Sequence, residues 1–84
     1  MVKIEDLLKK LIRLNIHPKF YSIGFDIKEN AYNIERMFNG EYALFYLERG
    51  ERINERVFKT EEEALLHLIS SLEKNLKYGL DLSN

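Results

Sequence analysis

The side chains that could perform chemistry are few, and their spacing does not assemble a catalytic group. Cysteine is absent, which excludes a thiol nucleophile, a thiolate metal site and a disulfide. The two histidines, His17 and His67, are assigned surface or capping roles, because one precedes a proline and the other adjoins the apolar stripe of a helical segment. No serine has the glycine-flanked context of a nucleophile elbow. We therefore expect no enzyme activity, no metal site and no cofactor.

Carboxylates and glycines are the other candidates for chemistry. Glu48 and Glu51 flank a predicted turn, where two acidic side chains are ordinarily solvated rather than catalytic. The four glycines all fall at predicted turns or helix ends, so the sequence has no glycine-rich loop that could bind phosphate. These residues indicate a binding protein, and the next question is which elements present its binding surface.

Length and composition are those of one globular domain. The chain has 84 residues, of which 45% are hydrophobic and 32% are charged, and such values are ordinary for folded proteins. No apolar run approaches the roughly 18 residues that cross a bilayer, and the N-terminal segment lacks the continuous apolar centre of a secretion signal. We expect a single cytoplasmic domain over residues 1–84, with a loose tail at 79–84 and no membrane contact.

Amphipathic helices are predicted at both ends of the chain. The first covers about residues 2–15, where apolar residues recur at the spacing of one helical face, and it ends before Pro18 because proline disfavours helical geometry in the preceding residue. The second covers residues 61–78. Thr60 can cap its first turn, and Glu63 can bond back to the amide of the cap.

Between the helices the sequence predicts strands at residues 31–38, 41–48 and 53–59, and residues 20–25 could add a short edge strand. Both helices have one apolar stripe, and the sheet has one plainly apolar face. The predicted fold is therefore α+β. It is an antiparallel three- or four-stranded meander with the N-terminal and C-terminal helices packed on one face, in the order α-β-β-β-α.

The dipeptide Asn39-Gly40 is a strong signal for a two-residue type I′ hairpin turn. Such a turn pairs Met37 with Tyr42 and Ile34 with Phe45, and this register sorts the side chains into two faces. The face predicted to contact the helices holds Tyr32, Ile34, Arg36, Ala43, Phe45 and Leu47. The face predicted to be open holds Asn33, Glu35, Met37, Tyr42, Leu44 and Tyr46.

The open face is the predicted partner-binding surface. Tyrosine and methionine are enriched at protein interfaces because they combine contact area with a polar tip or with adaptability. Charged neighbours would mainly set the association rate and the choice of partner. The candidate binding residues are Glu35, Met37, Tyr42, Tyr46, Glu48 and Arg49. The occupant of this face could be the protein itself, a second copy in a homodimer, or a different protein.

Several short segments follow the pattern of a known group of bacterial proteins. These segments are Tyr21-Ser22-Ile23-Gly24, Leu44-Phe45-Tyr46-Leu47-Glu48-Arg49-Gly50, Phe58 at the end of the next strand, and the helix start Thr60-Glu61-Glu62-Glu63-Ala64. With the leading amphipathic helix they form a pattern that extends over most of the chain, which resembles the small immunity proteins encoded beside polymorphic toxins. The resemblance implies that the chain binds one cognate toxin domain and neutralises it inside the producing cell. It assigns no individual binding residue.

Two other functions are compatible with the sequence. A small homo-oligomeric structural or regulatory protein could pair through the open face or a free strand edge. A nucleic-acid-binding module is the weaker alternative, because the order of elements also matches double-stranded-RNA-binding domains, which contact phosphates with basic side chains. Lys9, Lys10 and Arg13 could serve that role, but the acidic start of the second helix, residues 61–63, would repel phosphate. We therefore expect a protein partner and no nucleic acid.

Overall fold

The computed structural model describes residues 3–24 and 26–77. Their elements, in chain order, are α1 (Ile4–Arg13), a 3₁₀ turn (Pro18–Phe20), β1 (Tyr21–Ile23), β2 (Ala31–Arg36), β3 (Tyr42–Glu48), β4 (Glu51–Phe58) and α2 (Glu61–Lys77). The predicted α+β fold is confirmed. The loose tail predicted at 79–84 lies outside the described residues.

The four strands form one sheet in the order β1-β2-β3-β4. β2, β3 and β4 form the predicted antiparallel meander. The short edge strand exists as well, but it pairs with β2 in parallel, so the prediction of a wholly antiparallel sheet is wrong for β1. The reason is the connection between the two strands, of which residues 26–30 are described. It returns the chain to the end of the sheet where β1 began, so β2 runs in the same direction as β1.

Asn33 holds this connection against the sheet. Its side-chain oxygen accepts a hydrogen bond from the Lys28 N–H at 2.8 Å, and its amide donates to the carbonyls of Lys28 and Ala31 at 3.1 and 3.0 Å. The Ser22 hydroxyl donates to the Asp26 carbonyl on the same side of the sheet. The connection therefore crosses the sheet face opposite the helices, and Asn33 is fully buried beneath it.

The β2–β3 hairpin has a different turn from the one predicted. The Met37 N–H donates to the Glu41 carbonyl at 2.8 Å and the Gly40 N–H to the Met37 carbonyl at 3.0 Å, so the loop has three residues and Gly40 takes a positive φ of 86°. The two-residue turn lies instead between β3 and β4, at Arg49-Gly50. There φ is 52° and 78°, and type I′ turns require positive φ at both positions.

The longer loop moves the register of β3 by one residue. Ile34 lies opposite Leu44, and Tyr32 lies opposite Tyr46. Because side chains alternate with a period of two, a one-residue difference exchanges the two faces of a strand. The predicted sorting of β3 is therefore wrong throughout. Tyr42, Leu44 and Tyr46 lie on the helix-bearing face, whereas Ala43, Phe45 and Leu47 lie on the opposite face, which is called the open face below.

Both helices pack on the same face of the sheet, as predicted. The buried cluster joins Leu7, Leu11, Ile16, Ile34, Leu44, Ala64, Leu65, Leu68, Ile69 and Leu72. The observed register is favourable because it turns Leu44 and the β2 and β3 tyrosines toward the helices, where apolar area is removed from water.

The start of α2 follows its local sequence signal. The Thr60 hydroxyl accepts a hydrogen bond from the Glu63 N–H at 3.2 Å, which confirms the predicted cap. The Glu63 carboxylate accepts from the same hydroxyl at 3.2 Å, rather than from the cap amide as predicted. Across the described residues, no helix combines the length and the apolar composition needed to cross a bilayer.

β4 is an edge strand with one irregularity. Leu44 pairs with Arg56 and Tyr46 pairs with Ile53, so Phe45 lies opposite two residues of β4 instead of one. Asn54 within this bulge has a φ of 54°, a left-handed conformation that asparagine tolerates better than most residues.

Candidate functional site

The structure divides the predicted binding residues between three places. Glu35, on β2, and Met37, just after it, belong to the open face by strand alternation. Tyr42 and Tyr46 lie on the helix-bearing face, so their assignment to an open surface is wrong. The remaining two residues, Glu48 and Arg49, lie at the end of β3 and in the turn that follows.

The centre of the open face is an arginine held over an aromatic ring. The Arg52 guanidinium lies 4.1 Å from the centre of the Phe45 ring. It bonds to the Glu35 carboxylate at 2.9 Å and to the Glu55 carboxylate at 2.8 Å. Phe45 is only 1% exposed, and the Arg52 side chain covers its ring on a face that no helix protects. We call Glu35, Arg52 and Glu55, with the ring beneath, the Arg52 bridge.

The charge of the Arg52 bridge is fixed. Hydrogen bonds to Glu55 and then to Glu35 raise the pKa of Arg52 above its ordinary value, against a smaller opposing effect of burial. Arginine is already cationic at any physiological pH. The centre of the open face therefore presents a cation between one carboxylate from β2 and one from β4, across the intervening strand β3, in a defined geometry.

The hairpin end of the open face carries exposed apolar side chains. Phe38 is fully exposed in the three-residue loop, and Val57, on β4 at the same end of the sheet, is 49% exposed. The loop is ordered by Asn39, whose side chain accepts from the Glu41 N–H at 3.0 Å and donates to the Glu41 carboxylate at 2.7 Å. We call Met37, Phe38 and Val57 the hairpin patch.

Sequence reasoning missed Phe38 as a surface residue because it assigned this residue to a strand. With a two-residue turn, Phe38 would pair with Glu41 inside the ladder. The signal that could have identified it is the loop length, since a glycine at the third position of a three-residue loop is an established alternative to the two-residue turn. The sequence alone does not distinguish the two.

A groove of about 650 Å³ lies on the helix-bearing side, between α2 and strands β3 and β4. Tyr32 and Tyr46 form part of its floor, with ring centres 5.1 Å apart in an edge-to-face arrangement. The Asn75 amide donates to the Tyr32 hydroxyl at 3.2 Å. Burial, followed by the nearby charge of Glu48 and then by Tyr32, raises the pKa of Tyr46, so its hydroxyl stays protonated at neutral pH.

Within residues 3–24 and 26–77, no group of three or more histidine, aspartate or glutamate side chains is placed to hold a metal ion. His67 stacks against Phe58, with ring centres 4.6 Å apart. The candidate sites are therefore two binding surfaces, namely the open face with its hairpin patch and the groove beside α2.

Comparison of the chain with protein-family models, with curated proteins and with solved structures found no match.

Proposed function

We propose that this chain is an immunity protein, which binds a cognate bacterial toxin domain in the cytoplasm of the producing cell and neutralises it. The observation that best supports a protein partner is Phe38. This side chain is fully exposed at the end of a sheet face that the helices leave uncovered. The resemblance of the sequence to immunity proteins supplies the class of partner.

The hairpin patch has the properties of an interface anchor. Large aromatic side chains dominate the binding energy of many interfaces when they enter a pocket on the partner. Phe38 is presented on a short loop whose backbone is fixed by the bonds between Asn39 and Glu41. A pre-ordered loop loses little conformational freedom on binding, so more of the contact energy appears as affinity.

The Arg52 bridge would supply specificity beside this anchor. Its carboxylates and guanidinium are part-exposed and are held by each other rather than by solvent alone. Fixed charges reject partners that present like charges at the same positions, and they speed the approach of complementary ones. The proposed contact surface is therefore apolar at the hairpin end and charged toward its centre.

The test uses the C-terminal domain of the secreted protein encoded beside the gene for this chain. Bacteria that produce this domain are expected to grow only when the chain is produced with it, and the two purified proteins are expected to form a complex measurable by calorimetry. If the domain is toxic and the chain neither binds nor neutralises it, the proposal is wrong.

The Phe38→Ala variant tests the surface. If Phe38 is an anchor, its truncation weakens the complex by about 2 kcal/mol, or roughly thirtyfold in Kd. Ile12→Ala is the matched control, because Ile12 is also an exposed apolar residue, at 71%, but lies on α1 on the other side of the sheet. Equal affinity of both variants would remove the hairpin patch from the interface. Light scattering checks the alternative, since a stable homodimer that is broken by Phe38→Ala would indicate self-association instead.

A further inference from the structure

We propose that the groove between α2 and strands β3 and β4 binds a small organic anion with an aromatic body, of the aryl carboxylate class. This site lies on the opposite side of the sheet from the hairpin patch, so it is separate from the surface proposed for the protein partner. Its volume, about 650 Å³, falls in the range of roughly 300–1,000 Å³ that is typical of small-molecule sites.

The floor of the groove suits an apolar body. Tyr32, Tyr46 and Ile53 contribute to its lining, and such surfaces release water when a ring or an alkyl chain covers them. The two tyrosine rings support each other edge to face, and Asn75 holds the Tyr32 hydroxyl. The floor is therefore formed before any ligand arrives, which favours binding because little ordering remains to be done.

The charge of the lining indicates an anion. Arg56 and Lys74 both border the groove, and neither makes an ion pair with any other residue of the described part. Arg52, on the opposite face, makes two. Cations that are left without carboxylate partners beside a concave surface attract anions, and arginine bonds a carboxylate through two parallel N–H groups.

One acidic residue, Glu48, also borders the groove. It lies four residues along β3 from Leu44, which is the partner of Arg56 in the ladder. At the rise of a β-strand, this separation is roughly 13 Å. We therefore place the anionic group of the ligand toward Arg56, and the hydroxyl of Tyr46, between the two, can donate a hydrogen bond.

The experiment uses 1-naphthoate as the probe and 1-naphthalenemethanol as its uncharged counterpart, each titrated into the isotope-labelled full chain and followed by NMR. The naphthoate is expected to bind saturably and to shift the amide signals of Tyr46, Arg56 and Asn75. The alcohol is expected to bind at least about tenfold more weakly, since it lacks the charge that strengthens the hydrogen bonds.

Substitutions then separate the site from general attraction to a basic surface. Arg56→Gln is expected to weaken naphthoate binding about tenfold, and Lys74→Gln by a smaller factor, because the anionic group is placed toward Arg56. Neither side chain is buried, so the fold should persist. Lys9→Gln removes the same charge from α1 and is expected to change nothing. Equal binding of acid and alcohol, equal effects of all three substitutions, or shifts confined to the open face would overturn the proposal. None of these results bears on toxin binding.

Discussion

Single polar side chains decide how the open face is covered. Asn33 satisfies three backbone groups at once, and within the described residues every buried side-chain nitrogen or oxygen has a partner. The sequence predicted that Asn33 lies on the open face, and the structure confirms this. The sequence also suggested that Asn33 is exposed to solvent, whereas it is fully buried. Its actual role could not be read from the sequence, because the partners belong to an irregular connection with no periodic pattern.

Substitution of Asn33 tests this role. Asn33→Ala leaves the N–H and carbonyl of Lys28 without their partner, and an unsatisfied buried backbone group costs about 1–3 kcal/mol. Asn33→Asp should cost more, because a carboxylate oxygen would then face the carbonyls of Lys28 and Ala31. Urea denaturation measures both free energies of unfolding. The control is Asn39→Ala, at an exposed loop position, where the loss of its solvent-exposed bonds to Glu41 is expected to cost about 1 kcal/mol or less. If both alanine variants lose the same free energy of unfolding, the buried bonds of Asn33 contribute no more to stability than exposed ones.

At the scale of elements, local signals predicted the helices well and the hairpin register poorly. The helix predictions, 61–78 and 2–15, lie close to the observed Glu61–Lys77 and Ile4–Arg13, because apolar spacing, the Thr60 cap and Pro18 all act within a few residues. The pairing register of the strands depends instead on contacts across the whole sheet. A favourable turn contributes little energy compared with the burial of a whole strand face, so the tertiary preference for Leu44 toward the helices prevails over Asn39-Gly40.

The two turns can be distinguished by exchanging residue types. Arg49 has a φ of 52°, and an asparagine there should stabilise the protein by a few tenths of a kcal/mol up to about 1 kcal/mol, since asparagine tolerates the left-handed region. In contrast, Asn39 does not have a positive φ. Asn39→Arg should therefore cost only the loss of its bonds to Glu41, about 1 kcal/mol or less. Thermal unfolding measures both. A cost well above 1 kcal/mol for Asn39→Arg, with no gain for Arg49→Asn, would instead indicate a two-residue turn at Asn39-Gly40.

The candidate site was predicted only in part, for the same reason. Strand alternation along β2 placed Glu35 correctly, and it assigned Met37 to the same face. Within β3 it grouped the side chains correctly, but it assigned each group to the wrong face of the sheet. What failed was the relation between the two strands, and this single error carried Tyr42 and Tyr46 to the wrong side of the sheet. The groove beside α2 was beyond sequence reasoning altogether, because it depends on where the helix crosses the sheet.

At the scale of the whole molecule, the sheet separates two binding surfaces. The hairpin patch and the Arg52 bridge lie on one side, and the groove with Arg56 and Lys74 lies on the other. If both proposals hold, the chain should bind 1-naphthoate with the same affinity when free and when saturated with the toxin domain. Calorimetric titration of the preformed complex measures this. A large change in affinity would mean that the partner reaches around the sheet or alters the position of α2.

The bulge at Asn54 has a consequence for how copies of this protein behave beside one another. β4 is eight residues long and has neighbours on one side only, which would make it a template for adding further chains in an endless ribbon. The bulge at Asn54 interrupts the ladder along that edge, and charged residues of both signs precede and follow it, among them Arg52, Glu55 and Arg56. A second copy cannot align a straight ladder along it without misplacing hydrogen bonds and confronting like charges. We therefore expect this edge to be a poor template for the growth of fibrils.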